Sequence, residues 1–514
     1  MMRLQPRKRA SRKYSQSPVK VAAALVAFSG MLAVTGCSGP TNAASSNGDD
    51  DTIRIGVSAV LTTLDPGQNF SIGQVAITNL FGGTLTNLNS DGKAVSMGLA
   101  ESVTPGDEQY VVKLRAGLKF SDGSPLTAAD VAASFGHYLA DKTNGYDYTY
   151  APIEKVTAID DLTVAFDLNY PYPALEYALS LPGSIIVPAK DIEERGADLY
   201  RGEPLPSSGR YKIQTSNQDE IILEANPNYP AQQPETKTLI FQKVADPVSR
   251  LAQVQSGQLD YAEEIAPKQL AQLSGPVEAR TAFAANGQTF LAMNNRDNSI
   301  LSDPRIRKAV STAIDREQIN QIVFADRNRL GLGLFASSSP HNRPFLQEKA
   351  NVAAAKLLLA GTKCENSCSL RFTNAGDADI AVVVQQNLKA VGIEVSIENV
   401  EPAVLSKNAD EGNYDLLATG NFEQGDYPAI SLQFTLGPTI QALRTGYNNP
   451  EMTQLLEKLK TASGSEADST LDQVNTLFEE DLPLAPIADY MVNSASRIPS
   501  ERFGLDSTLF YHVR

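Results

Sequence analysis

Tryptophan is absent from the 514 residues, cysteine and histidine occur three times each, and methionine seven times. Each scarcity excludes something. His137, His341 and His512 stand in dissimilar contexts, and neither His-Glu-x-x-His nor Gly-x-Ser-x-Gly occurs, so the residue sets of zinc peptidases and serine hydrolases are missing. Without a second Cys or His pair beside Cys364 and Cys368, a four-ligand zinc site lacks donors. No catalytic residue, metal or cofactor is therefore expected. Positive charge is also in short supply. The formal net charge is −15, from 44 Lys+Arg and 59 Asp+Glu, and seven of the basic residues crowd the N-terminus. Setting those seven aside leaves 37 basic against 59 acidic groups, a balance of −22. That balance opposes binding to nucleic acid or to an anionic surface, and its ordinary consequence is solubility. Past the leader, no apolar run reaches the about 20 residues of a helical membrane span.

The seven basic residues (Arg3, Arg7, Lys8, Arg9, Arg12, Lys13 and Lys20) precede a short apolar run from Val21 to Val34 that closes on Val34-Thr35-Gly36-Cys37. A basic head, a short apolar centre and small residues before a cut make a secretory signal over residues 1–36. Gly30, Thr35 and Gly36 interrupt the rival reading, an uncleaved anchor helix. Val-Thr-Gly-Cys resembles the lipobox of bacterial lipoproteins, which implies that Cys37 is diacylated and becomes the mature N-terminus. Two acyl chains anchor stably where one is marginal. Residues 37–51, rich in Ser, Asn, Gly and Asp, read as a flexible tether. Outside the cell, Cys364 and Cys368 form an even pair, most simply a small disulfide loop.

The remaining length suffices for two or three domains. Ile53, Ile55 and Val57 alternate as a strand, which ends in the turn Leu64-Asp65-Pro66-Gly67; a helical pattern then runs from Ile72 to Leu80. A strand from Tyr110 leads through Asp122-Gly123 to a capping box, Thr127 to Asp130, and a helix from Val131 to Leu139. Val156 to Ile159 and Val164 to Leu168 read as a hairpin about Asp160-Asp161. Asp303 and Asp315 cap two successive helices, the first with Pro304 at its opening position. From Leu370 the pattern becomes strand, helix, strand, helix, strand. The last strand, Tyr414 to Gly420, is expected to empty into a loop over residues 421–428, and such loops carry ligand contacts in α/β units.

Several blocks fall in a telling order: Leu64-Asp65-Pro66, Leu114-Arg115-x-Gly117-x-Lys119-Phe120-Ser-Asp-Gly, Leu126-Thr-Ala-x-Asp130-Val131, Asn226-Pro-Asn-Tyr229, Val254-Gln-Ser-Gly257-x-Leu-Asp260-Tyr261, Met293-Asn294, and Asp303-Pro-Arg-Ile-Arg307 through Asp315-Arg-Glu. In this order they resemble the dipeptide/oligopeptide-binding family of ABC-transporter solute receptors (extracellular solute-binding family 5), over essentially the whole mature chain. The resemblance implies a two-lobe, hinge-closing α/β fold of the type II periplasmic-binding-protein kind, with an extra domain inserted in the first lobe. It maps the first lobe to 52–84, 206–282 and 490–514, the extra domain to 85–205 and the second lobe to 283–489. Two departures stand out. Ser207-Ser-Gly-Arg-Tyr211 replaces a glycine-rich stretch before Pro-Tyr, and Pro230 follows Asn-Pro-Asn-Tyr where relatives often carry tryptophan.

A monomeric receptor is expected, lipid-anchored on the extracytoplasmic face, passing a peptide to the permease subunits of an importer by binding and closure rather than catalysis. A buried zwitterionic peptide needs a carboxylate for its ammonium group and backbone partners for its amides. The resemblance puts the carboxylate at Asp426, with Phe422 and Gln424 flanking the peptide through their backbones. Asn69, Phe70 and Ser71 match the facing loop of the first lobe. Asp65 reads as structural. Tyr148, with Tyr146 and Tyr150, belongs near the extra-domain wall, and Lys407 and Arg444 are candidates for the peptide C-terminus. The same fold with another cargo (a glycan, a metal chelate or a signalling peptide) stays open, as do a secreted hydrolase and a structural cell-wall protein.

Overall fold

The computed structural model describes residues 51–514 except 70, 274, 377 and 438–443; Cys37, its leader and Phe70 lie outside the described residues. The alternating Ile53, Ile55 and Val57 sit on the strand Thr52–Val57 and are fully buried. That strand lies between two parallel partners, Thr238–Lys243 and Tyr261–Glu263. Parallel strands are covered on both faces, which explains why Gly56 between them has no room for a side chain: a Cβ there would come within 2.5 Å of Leu259.

These strands belong to a ten-stranded mixed sheet. Its spatial order is Ile393–Asn399, Cys368–Asn374, Leu416–Glu423, Glu278–Met293, Leu484–Ser496, Tyr261–Glu263, Thr52–Val57, Thr238–Lys243, Glu220–Ala225 and Tyr211–Ser216. Two long strands at its middle, Glu278–Met293 and Leu484–Ser496, join the halves. Glu278 to Phe283 pair with Ser496 to Met491, and Gln288 to Ala292 pair with Asp489 to Leu484, with a register break between Phe283 and Gln288. A second, smaller irregularity follows between Thr289 and Phe290.

Three large apolar cores can be distinguished. One gathers Phe290, Ile306, Val310, Phe372, Val384 and Phe478. A second gathers Ile53, Ile77, Tyr211, Phe241, Phe503 and Tyr511. The third lies under a separate four-stranded antiparallel sheet, ordered Ala100–Thr104, Gln109–Leu114, Thr163–Leu168 and Ile153–Ala158, packed on the helix Ala128–Ala140. The capping box of that helix is formed, with Thr127 N donating to Asp130 Oδ2 at 2.8 Å. Asp130 Oδ1 also accepts from Ala189 N at 2.9 Å, so one carboxylate fixes the helix start and a distant segment.

In the half containing Phe290, Asp303 and Asp315 cap Pro304–Ala313 and Arg316–Ile322 as expected. The arginines of that block are structural. Arg307 donates to the carbonyls of Leu301 and Ser302 at 2.9 Å, and Arg316 to Pro486 O at 2.8 Å. Burial lowers the Arg316 guanidinium to about 10. Cys364 and Cys368 are joined by a disulfide, their Cα atoms 4.9 Å apart. No helix among the described residues is long and apolar enough to cross a membrane.

One expectation is corrected. The strand read as ending at Gly420 continues to Glu423, with Asn421 opposite Gln288, Phe422 opposite Gly287 and Glu423 opposite Asn286. Asn421 stays in the ladder because its polar side chain is satisfied there: Oδ1 accepts from Gln288 N at 3.1 Å and Nδ2 donates to Thr435 Oγ1 at 2.7 Å.

Candidate functional site

The extended strand delivers residues 423–427 to the seam between the half containing Phe290 and the core under the four-stranded sheet. Asp426 is half-buried there. Its Oδ2 accepts a hydrogen bond from Ser339 Oγ at 2.9 Å, while its Oδ1 is buried without a partner. Its backbone N–H crosses the seam to Gly92 O at 2.9 Å. Burial pushes the carboxyl upward, against the Ser339 hydrogen bond and the charges of His341 and Lys93. Ser339 is itself positioned. Two residues earlier, Ser337 N and Oγ both donate to Asp489 on the crossing strand Leu484–Ser496, the backbone bond at 2.9 Å.

A second carboxyl lies beside it. Glu423 is 7% exposed, and its side chain receives one hydrogen bond among the described residues, from Tyr177 OH at the long distance of 3.5 Å. Burial pushes it from an ordinary 4.5 to about 8, with the Tyr177 hydroxyl acting the other way. The phenols of Tyr146, Tyr148 and Tyr177 are each raised first by burial and then by the charge of Glu423. Tyr177 stacks on Tyr427 with ring centroids 4.1 Å apart, and Tyr148 approaches Phe434 at 6.4 Å. Between the two carboxyls, Gly425 has no space for a side chain: a Cβ would meet Tyr177 at 2.8 Å and both Gly92 O and Tyr427 at 3.0 Å. Two carboxyl groups short of hydrogen-bond donors, against an aromatic wall, are suited to receive a cationic, donor-rich group.

The other expected residues divide. Phe422 is half-buried with its ring 5.4 Å from Tyr490, and Gln424 is buried with its carbonyl close against Gly92. Asn69 is buried and braces its own turn, Nδ2 donating to Thr63 O and Asp65 O at 3.0 Å, while its Oδ1 is buried without a partner. Asp65 caps that turn through Gly67 N at 2.9 Å. Ser71 is exposed and forms the capping box of Ile72–Phe81 with Gln74. Tyr150 packs, its hydroxyl 2.9 Å from Ser184 Oγ. Lys407 and Arg444 are not brought to the carboxyls; they pair with Glu411 at 3.8 Å and Asp410 at 3.3 Å on the helix Pro402–Glu411. Sequence reasoning missed Glu423, Tyr177, Tyr427, Ser339 and the Gly92 turn. Only Glu423 carried a usable signal, being the in-facing position after Asn421 if the strand's period of two is continued past Gly420. No group of three or more His, Cys, Asp or Glu among the described residues could hold a metal ion.

The profile of the bacterial extracellular solute-binding proteins, family 5 (middle region) matches residues 94–442, which include Tyr177, Ser339 and Asp426. The chain belongs to this family. Among curated relatives, the oligopeptide-binding protein AppA of Bacillus subtilis is 29% identical over 427 residues, covering 76% of this chain and 77% of AppA. Among solved structures, the ABC transporter-associated periplasmic binding protein DppA from Helicobacter pylori, in complex with the peptide STSA, superposes with a TM-score of 0.75 at 18% identity, covering 88% of this chain and 95% of DppA. NikA from Brucella suis, in complex with Fe(III)-EDTA, reaches 0.79 at 18% identity, covering 90% of this chain and all of NikA. The family 5 chain described here therefore has the two-lobe type II periplasmic-binding-protein fold, built on a large mixed sheet.

Proposed function

We propose that the chain is the substrate-binding lipoprotein of an ABC importer that takes up peptides, holding the peptide ammonium group on Asp426. The observation that carries this reading is the buried, unpartnered Oδ1 of Asp426 on a loop that bridges the seam. The name of AppA and the peptide held by DppA support it. In this reading residues 52–84, 206–282 and 490–514 form the first lobe, 85–205 the extra domain and 283–489 the second lobe. The register break between Phe283 and Gln288 is the hinge. Binding and closure do the work, with no covalent step. Cys37 carries the lipid, and the tether to residue 51 holds a monomeric receptor near its permease.

Peptides with a free amine should raise the melting temperature saturably, since a ligand of the native state must stabilise it. Asp426→Ala should weaken them roughly thirtyfold or more, the cost of breaking a buried charge pair being about 2–5 kcal/mol. N-acetylated peptides should bind weakly to both proteins. If a di- to hexapeptide panel leaves the melting temperature unmoved, the peptide reading fails. A non-peptide solute is the second reading, favoured by the likeness to NikA with its metal chelate; ligand binding indifferent to Asp426→Ala would select it.

A further inference from the structure

A cavity of about 330 Å³ lies apart from the Asp426 seam and shares no lining residue with it. It is walled by the end of the helix Ile72–Phe81, the Gly82-Gly83 turn, and the side chains of Asn79, Arg115, Arg210 and Tyr229. No aspartate or glutamate lines it among the described residues, in a chain whose charge is −15. Among the described residues, both arginines are bound only to main-chain carbonyls. Arg115 donates from Nε to Gly98 O at 2.8 Å and from Nη2 to Met97 O at 3.3 Å, which leaves Nη1 unused. Arg210 donates from Nη1 to Val513 O at 2.6 Å, while its Nε is buried without a partner. Neither is in an ion pair among the described residues, whereas Arg195, Arg201, Arg305 and Arg343 each pair with an aspartate. The acid that Arg115 feels, Glu101, is already held by Lys113 at 2.8 Å. The Asn79 side chain and the Tyr229 hydroxyl also have no protein partner among the described residues.

Two like charges facing one void repel, and the buried Nε of Arg210 is costly to leave unmet, while the exposed Arg115 keeps Nη1 free for a ligand. A small oxyanion removes both penalties, because guanidinium groups match the geometry of carboxylate and phosphate oxygens. We infer that the cavity lined by Arg115, Arg210, Asn79 and Tyr229 is a second binding site, for a small anion bearing a carboxylate or phosphate group. It is separate from the solute site, so it stands or falls independently of the peptide reading.

The test is calorimetric titration and thermal unfolding of the full mature chain with inorganic phosphate and with citrate, at constant ionic strength against sodium chloride. A saturable response to either anion in the wild type is expected. Arg210→Gln and Arg115→Gln should each weaken it roughly tenfold or more, and Arg210→Lys should recover part of the loss. A response to phosphate alone assigns the site to phosphate groups, and one to citrate alone to carboxylates. No saturable response to either anion, or the wild-type response in both glutamine variants, overturns the inference. Should Arg210→Gln fail to fold for want of its bond to Val513, Arg115→Gln and Tyr229→Phe, neither of which gives up a bond to that carbonyl, decide the matter.

Discussion

Glu423 illustrates how one side chain carries information that its sequence neighbours conceal. Inside the folded chain its carboxyl titrates near 8 rather than the ordinary 4.5, because burial penalises the charged form and one long bond from Tyr177 offsets little of it. The native state therefore keeps a proton that the unfolded chain releases between those two values. Stability from this group is fully present below 4.5 and is lost as pH rises through about 8. Glu263, raised to about 7 by burial with a smaller push from Glu264, drifts the same way, so the Glu423 contribution must be isolated by difference. Glu423→Gln should match the wild type near pH 4.5 and melt progressively later than it towards about pH 9. A melting-temperature difference that stays constant across that range would refute the assignment. At this scale the sequence was legible where chemistry is local. Asp65, Asp303 and Asp315 cap their turns and helices as their neighbours foretell. Tyr177 was not legible, since it reaches Glu423 across 246 residues of chain.

Among elements, the decisive feature is the strand Leu416–Glu423 and the tight turn after it. Its start was readable from apolar residues; its end was not, because Asn421 looks like a loop residue until Gln288 and Thr435 are seen to satisfy it. The turn then has to pass between Tyr177 and Gly92, and only a residue without Cβ fits at 425. Opposite it, Gly92 has φ +68°, where a side chain would be strained and would also strike Ala285 at 2.3 Å. Gly425→Ala should therefore act on closure rather than on the fold. Overpacking of this kind costs about 1–3 kcal/mol, or roughly five- to hundredfold in ligand affinity if it falls on the closed form alone. X-ray scattering should find the variant larger than the wild type with ligand present. Equal affinity and equal size would show that the turn has slack.

Over the whole molecule, the family blocks conveyed the two-lobe plan although no linker marks it, because the chain enters the second lobe and returns through paired strands instead of a connector. How the bodies meet was beyond reach of periodicity: the contacts across the seam join residues from three distant stretches. The pair at its centre has a further consequence. Tyr177 and Tyr427 lie nearly parallel, 14° apart in ring plane, in a protein with 18 tyrosines and no tryptophan to mask them. Coupled chromophores at that spacing should produce a split near-ultraviolet circular dichroism signal that separate rings do not. Native protein should therefore display its own open and closed populations optically, without a label, and Tyr427→Leu should abolish the couplet; a spectrum unchanged by that substitution would mean that the rings do not stack in solution.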